Sequence, residues 1–479
     1  MNTPSDRRPA AFDPANLRMP FTLDVNGKRF QAETLLRHLP GKRIVCAGQW
    51  DGRDVVAKIY IDPLRSRIHA DREAAGVAAM QARGIVTPLL LSRTDGPQPA
   101  ALLFEYIPFA YTARDRWVAA QTEDERKNLL GQLVVAVASH HHAGMVQEDL
   151  HLGNFIFAER KLYTLDGGSI RTYRHEVPAA QAIANLALLF AQFEPATDRF
   201  AESLLDEYCR VYDKLRGSLS AEQILDEIKR RRERRKSEYL RKCFRTCSAF
   251  QSDRDWGTFK VWDREYDSAA LRQLLRNPDS YLESSRLLKE GRTSTVGVVR
   301  IDNRALLIKR YNIKSAWHAV KRALRQTRAA VSWRNGHRLR FYAIPTARPV
   351  ALVERRWGPL RSASYIICEY IDAEDCGKYL RSEDRSEPEK QRVVDQIVEL
   401  FSKMARLNIG HGDTKASNFL VSAQAVSTID LDAMHEYRDP ARAAHAHRED
   451  IERFLQNWET TPDLKNRFLK QFSGGASTA

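Results

Sequence analysis

An α+β protein made of two tandem copies of one two-lobed unit is what this 479-residue sequence predicts, and three observations predict it. The chain is longer than one hydrophobic core usually organises, which points to two or three domains. It also repeats itself. Phe104, Glu105, Tyr106 and Ile107 recur as Cys368, Glu369, Tyr370 and Ile371; Asp149 and Asn154 recur as Asp413 and Asn418; Leu165 and Asp166 recur as Ile429 and Asp430, all offset by 264 positions. Within each copy, alternating apolar residues lead to a lysine, followed by a helical pattern, more strand and then long helices. That order suits a unit with a sheet-rich lobe and a helical lobe.

Taken in order, residues 1–20 hold spaced prolines and no apolar signal region, and read as a disordered tail. The first domain is expected over 21–225. A basic helical linker follows over 226–250, containing eight residues from Lys229 to Lys236 of which only Glu233 is not basic. Such a run is too charged for a core and reads as a solvated helix face between domains, with an anion-binding patch as the alternative. The second domain is expected over 251–470 and a flexible tail over 471–479. Val56, Ala57 and Lys58 recur as Leu307, Ile308 and Lys309 at the smaller offset of 251, so the second copy carries 13 extra residues between its lysine and its Glu-Tyr-Ile segment.

Composition narrows the class. Apolar residues make up 43% and aromatics 9%, ordinary for a folded globular chain. Lys and Arg outnumber Asp and Glu by 76 to 61, a net charge of +15 that favours anionic partners. Basic residues with interleaved aromatics raise nucleic acid as a partner, but no helix-turn-helix, zinc-finger or RNA-recognition pattern accompanies them, so it is not the expected one. Six scattered cysteines are too few for a disulfide framework and fit a reducing compartment; Cys243 and Cys247 read as ordinary helix thiols. The longest apolar stretches fall short of a membrane span. His140, His141 and His142 are consecutive on a helix, so their side chains diverge; they suit a helix end, not a metal.

The repeated segments carry chemistry. Asp149 with Asn154 and Asp413 with Asn418 read D-x-x-x-x-N, and Asp166 or Asp430 closes a short apolar strand twelve residues after the Asn. Phosphoryl transfer needs a base at the acceptor hydroxyl, and an amide oxygen with a second carboxylate to hold the magnesium that neutralises phosphates. Asp, Asn and Asp can fill those roles. Lys58 and Lys309 each end a strand-like run from which an ammonium could reach phosphates. The Glu105 and Glu369 segments lie between lysine and loop, suited to a backbone hinge against adenine.

In this order and twice over, these residues resemble the protein-kinase-like superfamily, and within it the lipopolysaccharide core kinases that phosphorylate heptose or Kdo. His411, Gly412, Asp413, Thr414, Lys415, Ala416, Ser417 and Asn418 look like the catalytic loop of those enzymes; residues 149–154 are similar also to aminoglycoside and choline kinases. The resemblance implies two tandem bilobal kinase-like domains with ATP and Mg2+ as cofactors. It implies Asp149 and Asp413 as catalytic bases, Asn154, Asp166, Asn418 and Asp430 as magnesium ligands, and Lys58, Glu73, Glu105, Lys309, Glu369 and Lys415 on the nucleotide. The acceptor it implies is a sugar hydroxyl of lipopolysaccharide inner core or a lipid A precursor, met by an enzyme in the cytoplasm, peripheral to the inner membrane. An aminoglycoside- or choline-type kinase is one alternative, and a pseudokinase scaffold holding an acidic protein is another.

The copies depart from the pattern in different places. Gln147 and Glu148 stand where the second copy has His411 and Gly412, and Gly167 and Gly168 follow Asp166 where Leu431 and Asp432 follow Asp430. Glu73 sits fifteen residues after Lys58, at the helix position that pairs with such a lysine. Aligning Gly84 and Ile85 with Ala343 and Ile344 puts Ser332 opposite Glu73, and no acidic residue occurs from 303 to 353. A phosphate-covering turn is expected at 290–297 and, less defined, within 41–52. From Lys309 to Arg340 there are ten Lys or Arg, with Trp317, Val320, Leu324 and Val331 near helical spacing among Lys314, Lys321, Arg325 and Arg328. This pattern predicts a basic amphipathic helix on an anionic membrane surface, or an apolar stripe packed on its own lobe.

Overall fold

The computed structural model describes residues 10–14, 17–94, 99–217, 219–312, 326–358 and 360–475. The chain divides into two compact units, Met1–Arg235 and Lys236–Ala479, each mixing helix and strand.

The first unit opens with a seven-stranded sheet in the order Ala10–Ala11, Phe21–Val25, Lys28–Leu39, Arg43–Trp50, Arg53–Tyr60, Ala100–Glu105, Leu90–Arg93. Alternation builds it: along Arg53–Tyr60, Val55, Ala57 and Ile59 are fully buried on one face, which leaves Lys58 on the other. Asp51 and Gly52, both at positive φ, make the two-residue turn before that strand. Helix Ser66–Ala82 follows, and then a helical lobe led by Glu123–His142, which Thr122 and Glu125 start with a capping box. Leu133, Val137, Phe155, Phe190 and Tyr208 are among its buried core.

The second unit has a seven-stranded sheet in the order Phe250–Arg254, Thr258–Asp263, Pro349–Trp357, Leu360–Glu369, Arg304–Tyr311, Ser294–Ile301, Arg286–Glu290. Helix Arg328–Phe341 and a lobe containing Glu387–Arg406, Pro440–Gln456 and Pro462–Gly475 complete it. Five strands of each sheet share one order around the lysine strand. The added strands lie on opposite edges, beside Lys28–Leu39 in the first unit and beside Pro349–Trp357 in the second.

Three expectations are corrected. Residues 10–14 and 17–20 are not a loose tail: Ala10–Ala11 pairs with the Phe21 strand, and Phe12, Leu17 and Met19 pack on the core cluster that holds Phe21, Val25 and Phe30, because apolar residues among the prolines find a sheet edge to cover. The basic run is not wholly solvated. In helix Ala221–Lys242, Ile228, Arg232 and Lys236 recur every four residues along one face, so two cations are buried. Arg232 forks onto both carboxylate oxygens of Asp198 at 2.6 and 2.7 Å, and Lys236 meets Glu436 at 2.5 Å. The 13 extra residues are not one insertion: eight precede Ser332, which lies 23 residues after Lys309 against 15 for Glu73 after Lys58, and five fall between the helix and Glu369. Those five sit in the longer hairpin Pro349–Trp357 and Leu360–Glu369.

The expected amphipathic helix falls largely on residues 313–325, outside the described residues; of it, Arg328 and Val331 lie in helix Arg328–Phe341. All six cysteines are free thiols, and no helix among the described residues is long and apolar enough to cross a membrane. His140 and His141 end their helix inside the core, bonded to Thr164 and to Tyr208 and Asn185, where burial lowers their pKa values to about 3 and about 4.

Candidate functional site

In the second unit, the face of strand Arg304–Tyr311 opposite the sheet core presents Leu307 and Lys309 to a cavity of about 460 Å³. Val296, Ile366, Cys368 and Leu420 are among its apolar walls, Asn418 and Asp430 stand with Lys309 among its polar groups, and Tyr370 and Ile371 also line it. An apolar slot with a few convergent polar groups suits a flat heterocycle carrying a charged tail. The turn from Gly291 to Thr293 joins its first two strands, where a phosphate-covering turn was expected, and Asn312 holds it by donating to the Gly291 carbonyl at 2.9 Å.

Lys309 pairs with Asp430 at 2.5 Å. Burial alone would raise the Asp430 pKa, but Lys309 and neighbouring hydrogen bonds outweigh it and hold the group well below the ordinary carboxylate range. Asp432, two residues on, moves the other way, pushed up by burial and by Asp430. Its partner is Arg328, whose guanidinium binds it from the helix. Ser332 stands where the first unit has an acid, and its hydroxyl meets Tyr311 at 2.7 Å.

The adjoining loop carries Asp413. Asn418 donates to the Asp413 carbonyl at 2.8 Å and to its carboxylate at 3.2 Å, and the Ile429 N–H bonds the Asn418 carbonyl at 2.9 Å, which ties Asp413, Asn418 and the segment carrying Asp430 together. His411 lies beneath, fully buried, its Nε2 3.2 Å from the Ile429 carbonyl. Asp450, on helix Pro440–Gln456 and 3% exposed, accepts from the His411 and Gly412 N–H groups at 2.6 and 2.9 Å. Sequence reasoning missed Asp450 because an Asp on an amphipathic helix shows nothing locally of the loop that it will meet; Asp432 was visible only as a departure between the copies.

The first unit assembles the same groups with different partners. Lys58 pairs with Glu73, which is 2% exposed and also accepts from the Gly168 N–H at 2.9 Å. Asn154 donates to the Asp149 carbonyl at 2.9 Å, and the Leu165 N–H bonds the Asn154 carbonyl at 2.8 Å. Asp166 and Asp430 share a left-handed backbone, at φ of 65° and 60°, which Asp tolerates better than most residues. Asp166 also has the Arg43 guanidinium 3.8 Å away. Gln147 does what His411 does: its amide donates to the Leu165 carbonyl at 2.8 Å. Glu148, in the Gly412 position, instead turns outward to Arg171 at 2.9 Å.

Three residues expected on the nucleotide have partners within the protein. The Glu105 carboxylate accepts from the Leu89 N–H at 2.9 Å, and that of Glu369, in the cavity lining, accepts from the Tyr266 hydroxyl. Lys415 lies exposed and pairs with Asp413 at 3.2 Å.

The donor set fits magnesium: Asn418 and Asp430 offer hard oxygen ligands on one cavity, beside a lysine suited to phosphate. Among the described residues no cluster of three or more His, Cys, Asp or Glu side chains is placed to hold a metal by itself, so such an ion would draw further oxygens from its phosphates or from water.

Residues 273–472 match the model of the lipopolysaccharide kinase (Kdo/WaaP) family, a span that holds Lys309, Asp413, Asn418 and Asp430. Among solved structures, the kinase domain of BubR1 matches with 15% identity and a TM-score of 0.28, over 33% of this chain and 51% of that one. The match therefore spans about half the length of that structure. No curated protein matches.

Proposed function

We propose that the chain is a tandem pair of bilobal protein-kinase-like domains that transfers the γ-phosphoryl group of ATP to a sugar hydroxyl of lipopolysaccharide inner core. One observation carries this reading: Lys309, Asn418 and Asp430 converge on a single apolar cavity beside Asp413, within the segment that matches the lipopolysaccharide kinase family. Asp413 accepts the proton of the attacking hydroxyl, Lys309 leaves Asp430 to meet the phosphates, and Asn418 with Asp430 holds the metal. Magnesium, when bound, supplies the charge that neutralises the phosphates. The acceptor is a heptose or Kdo hydroxyl on a lipid-borne core, met at the cytoplasmic face of the inner membrane.

The first unit supports a second reading for its own role. Its Lys58 and Glu73 pair is complete, yet Arg43 stands beside Asp166 and competes with a metal for that carboxylate. On this reading the first unit binds nucleotide weakly and serves to support its partner domain. Transfer of labelled phosphate from ATP to dephosphorylated core oligosaccharide by the purified full-length chain tests the main reading; no transfer to it, with transfer to choline or an aminoglycoside, would replace it.

A further inference from the structure

Two hairpin tips of the second unit put two tryptophans side by side in solvent. Trp256 lies in the turn between strands Phe250–Arg254 and Thr258–Asp263, and Trp357 ends strand Pro349–Trp357. They are 71% and 72% exposed, whereas Trp262, Trp333 and Trp458 of the same unit are 7%, 0% and 0% exposed. The tips are bonded to each other: the Arg356 N–H donates to the Gly257 carbonyl at 2.7 Å and the Gly358 N–H to the Trp256 carbonyl at 3.1 Å. The Trp256 ring lies over Gly358, where a Cβ would come within 3.0 Å of two ring atoms and where φ is +59°, so the approach requires glycine. Leu360, paired with Trp357 across the second tip, is 37% exposed.

The charges around the tips are Arg254, Lys260, Arg355, Arg356 and Arg361 with Asp253, Asp255, Glu354 and the Asp279 that pairs with Arg355 at 2.7 Å. Asp255 is spent on the turn, accepting from the Gly257 and Thr258 N–H groups, Asp253 is 3.8 Å from Lys260, and Glu354 is buried against Arg356, so the basic character of the patch rests on Arg254 and Arg361. Arg254 remains exposed over the Phe259 ring. The second tip belongs to the hairpin lengthened by five residues; in the first unit the sequence between the matching strands, residues 94–99, reads Thr-Asp-Gly-Pro-Gln-Pro, with no aromatic. Thr327, which caps helix Arg328–Phe341, donates its hydroxyl to Glu354 at 2.6 Å.

Tryptophan is costly to leave in water but settles well between headgroups and acyl chains, where its ring is apolar and its N–H stays wet. With arginines around it, such a patch fits an anionic bilayer. We infer that the paired tips carrying Trp256, Trp357 and Leu360 are an interfacial anchor that seats the second unit on an anionic lipid surface. The inference deepens the reading of a lipid-borne acceptor, but its test needs no catalysis.

The full-length chain should co-sediment with vesicles of phosphatidylglycerol mixed into phosphatidylcholine, much less with phosphatidylcholine alone. Trp256→Ser with Trp357→Ser should lower that partition by about tenfold or more, with unchanged thermal unfolding and unchanged phosphate transfer to a soluble core oligosaccharide. Trp256→Tyr with Trp357→Tyr should keep most of it. In the wild type, brominated acyl chains should quench tryptophan emission, a readout that needs no variant. Equal partition of the double serine variant, or wild-type binding without quenching, would overturn the anchor; so would vesicle-free dimerisation lost in that variant, which would make the patch a contact between copies.

Discussion

Lys309 reaches Asp430 at 2.5 Å, across the position where the first unit's lysine meets a helix glutamate. The helix of the second unit has no acid to offer, so it is joined to the loop after Asp430 with reversed polarity: Arg328 on the helix, Asp432 in the loop. In the first unit the helix brings the acid, Glu73, and the loop answers with the backbone N–H of Gly168, the residue in the Asp432 position. Both arrangements tie a helix to the segment that carries the metal-type carboxylate.

The pH dependence of stability should report the Lys309 pair. Because Asp430 is held below its unfolded-state pKa, its contribution is present above the ordinary carboxyl range and is lost as pH falls through the lowered value. Lys309→Met leaves a largely buried carboxylate short of its main cation, so it should cost about 2 kcal/mol near neutrality. That deficit should narrow as pH falls from about 5 through the lowered Asp430 value, about 2. Urea unfolding across this range checks it; a deficit independent of pH would mean that Asp430 does not titrate with Lys309.

Removing the proposed bases should separate the two units. Asp413→Asn should lower phosphate transfer by about 10² to 10⁴-fold, the usual contribution of a positioned base. Asp149→Asn should have the smaller effect, since its neighbour Asp166 has Arg43 beside it. Initial rates with the full-length single and double variants decide it, and a double variant at the wild-type rate removes both residues from catalysis.

Glu73 should matter to folding of the first unit. Glu73→Ala leaves Lys58 without its partner and the Gly168 N–H without its acceptor, a loss of about 3 kcal/mol for a buried pair. Glu73→Gln keeps an acceptor for Gly168 and should lose roughly half as much. Chemical denaturation followed by circular dichroism compares the two; equal losses would assign the whole effect to charge.

Asp450 should position the loop of the second unit. Asp450→Ala removes the acceptor for the buried His411 N–H and for the Gly412 N–H and should cost about 1 to 3 kcal/mol, with faster amide exchange at His411 and Gly412. Asp450→Asn, which retains one acceptor oxygen, should recover part of both. Hydrogen exchange measured by mass spectrometry on the loop peptide shows whether the loop is loosened.

What the sequence by itself determined is whatever depends on near neighbours or on repetition. Alternation along Arg53–Tyr60 placed Lys58 off the core face, and the 264-position repeat matched Asp149, Asn154 and Asp166 with Asp413, Asn418 and Asp430. Aligning Ser332 with Glu73 foretold that Lys309 would lack a helix acid. The tertiary structure alone decided the partners. Gln147 and His411 differ in chemistry, yet each binds the carbonyl just before its aspartate, because what the site requires there is a buried donor and two unlike side chains can supply it. Arg232 and Lys236 looked solvated and are buried, since burial of a cation depends on whether a distant carboxylate, Asp198 or Glu436, arrives opposite it. Trp256 and Trp357 stand a hundred residues apart in sequence and become neighbours through strand pairing. Side-chain periodicity is local and can be read from spacing; hydrogen-bond partners and the burial of charge are long-range, set by which strands and helices the folded chain brings together.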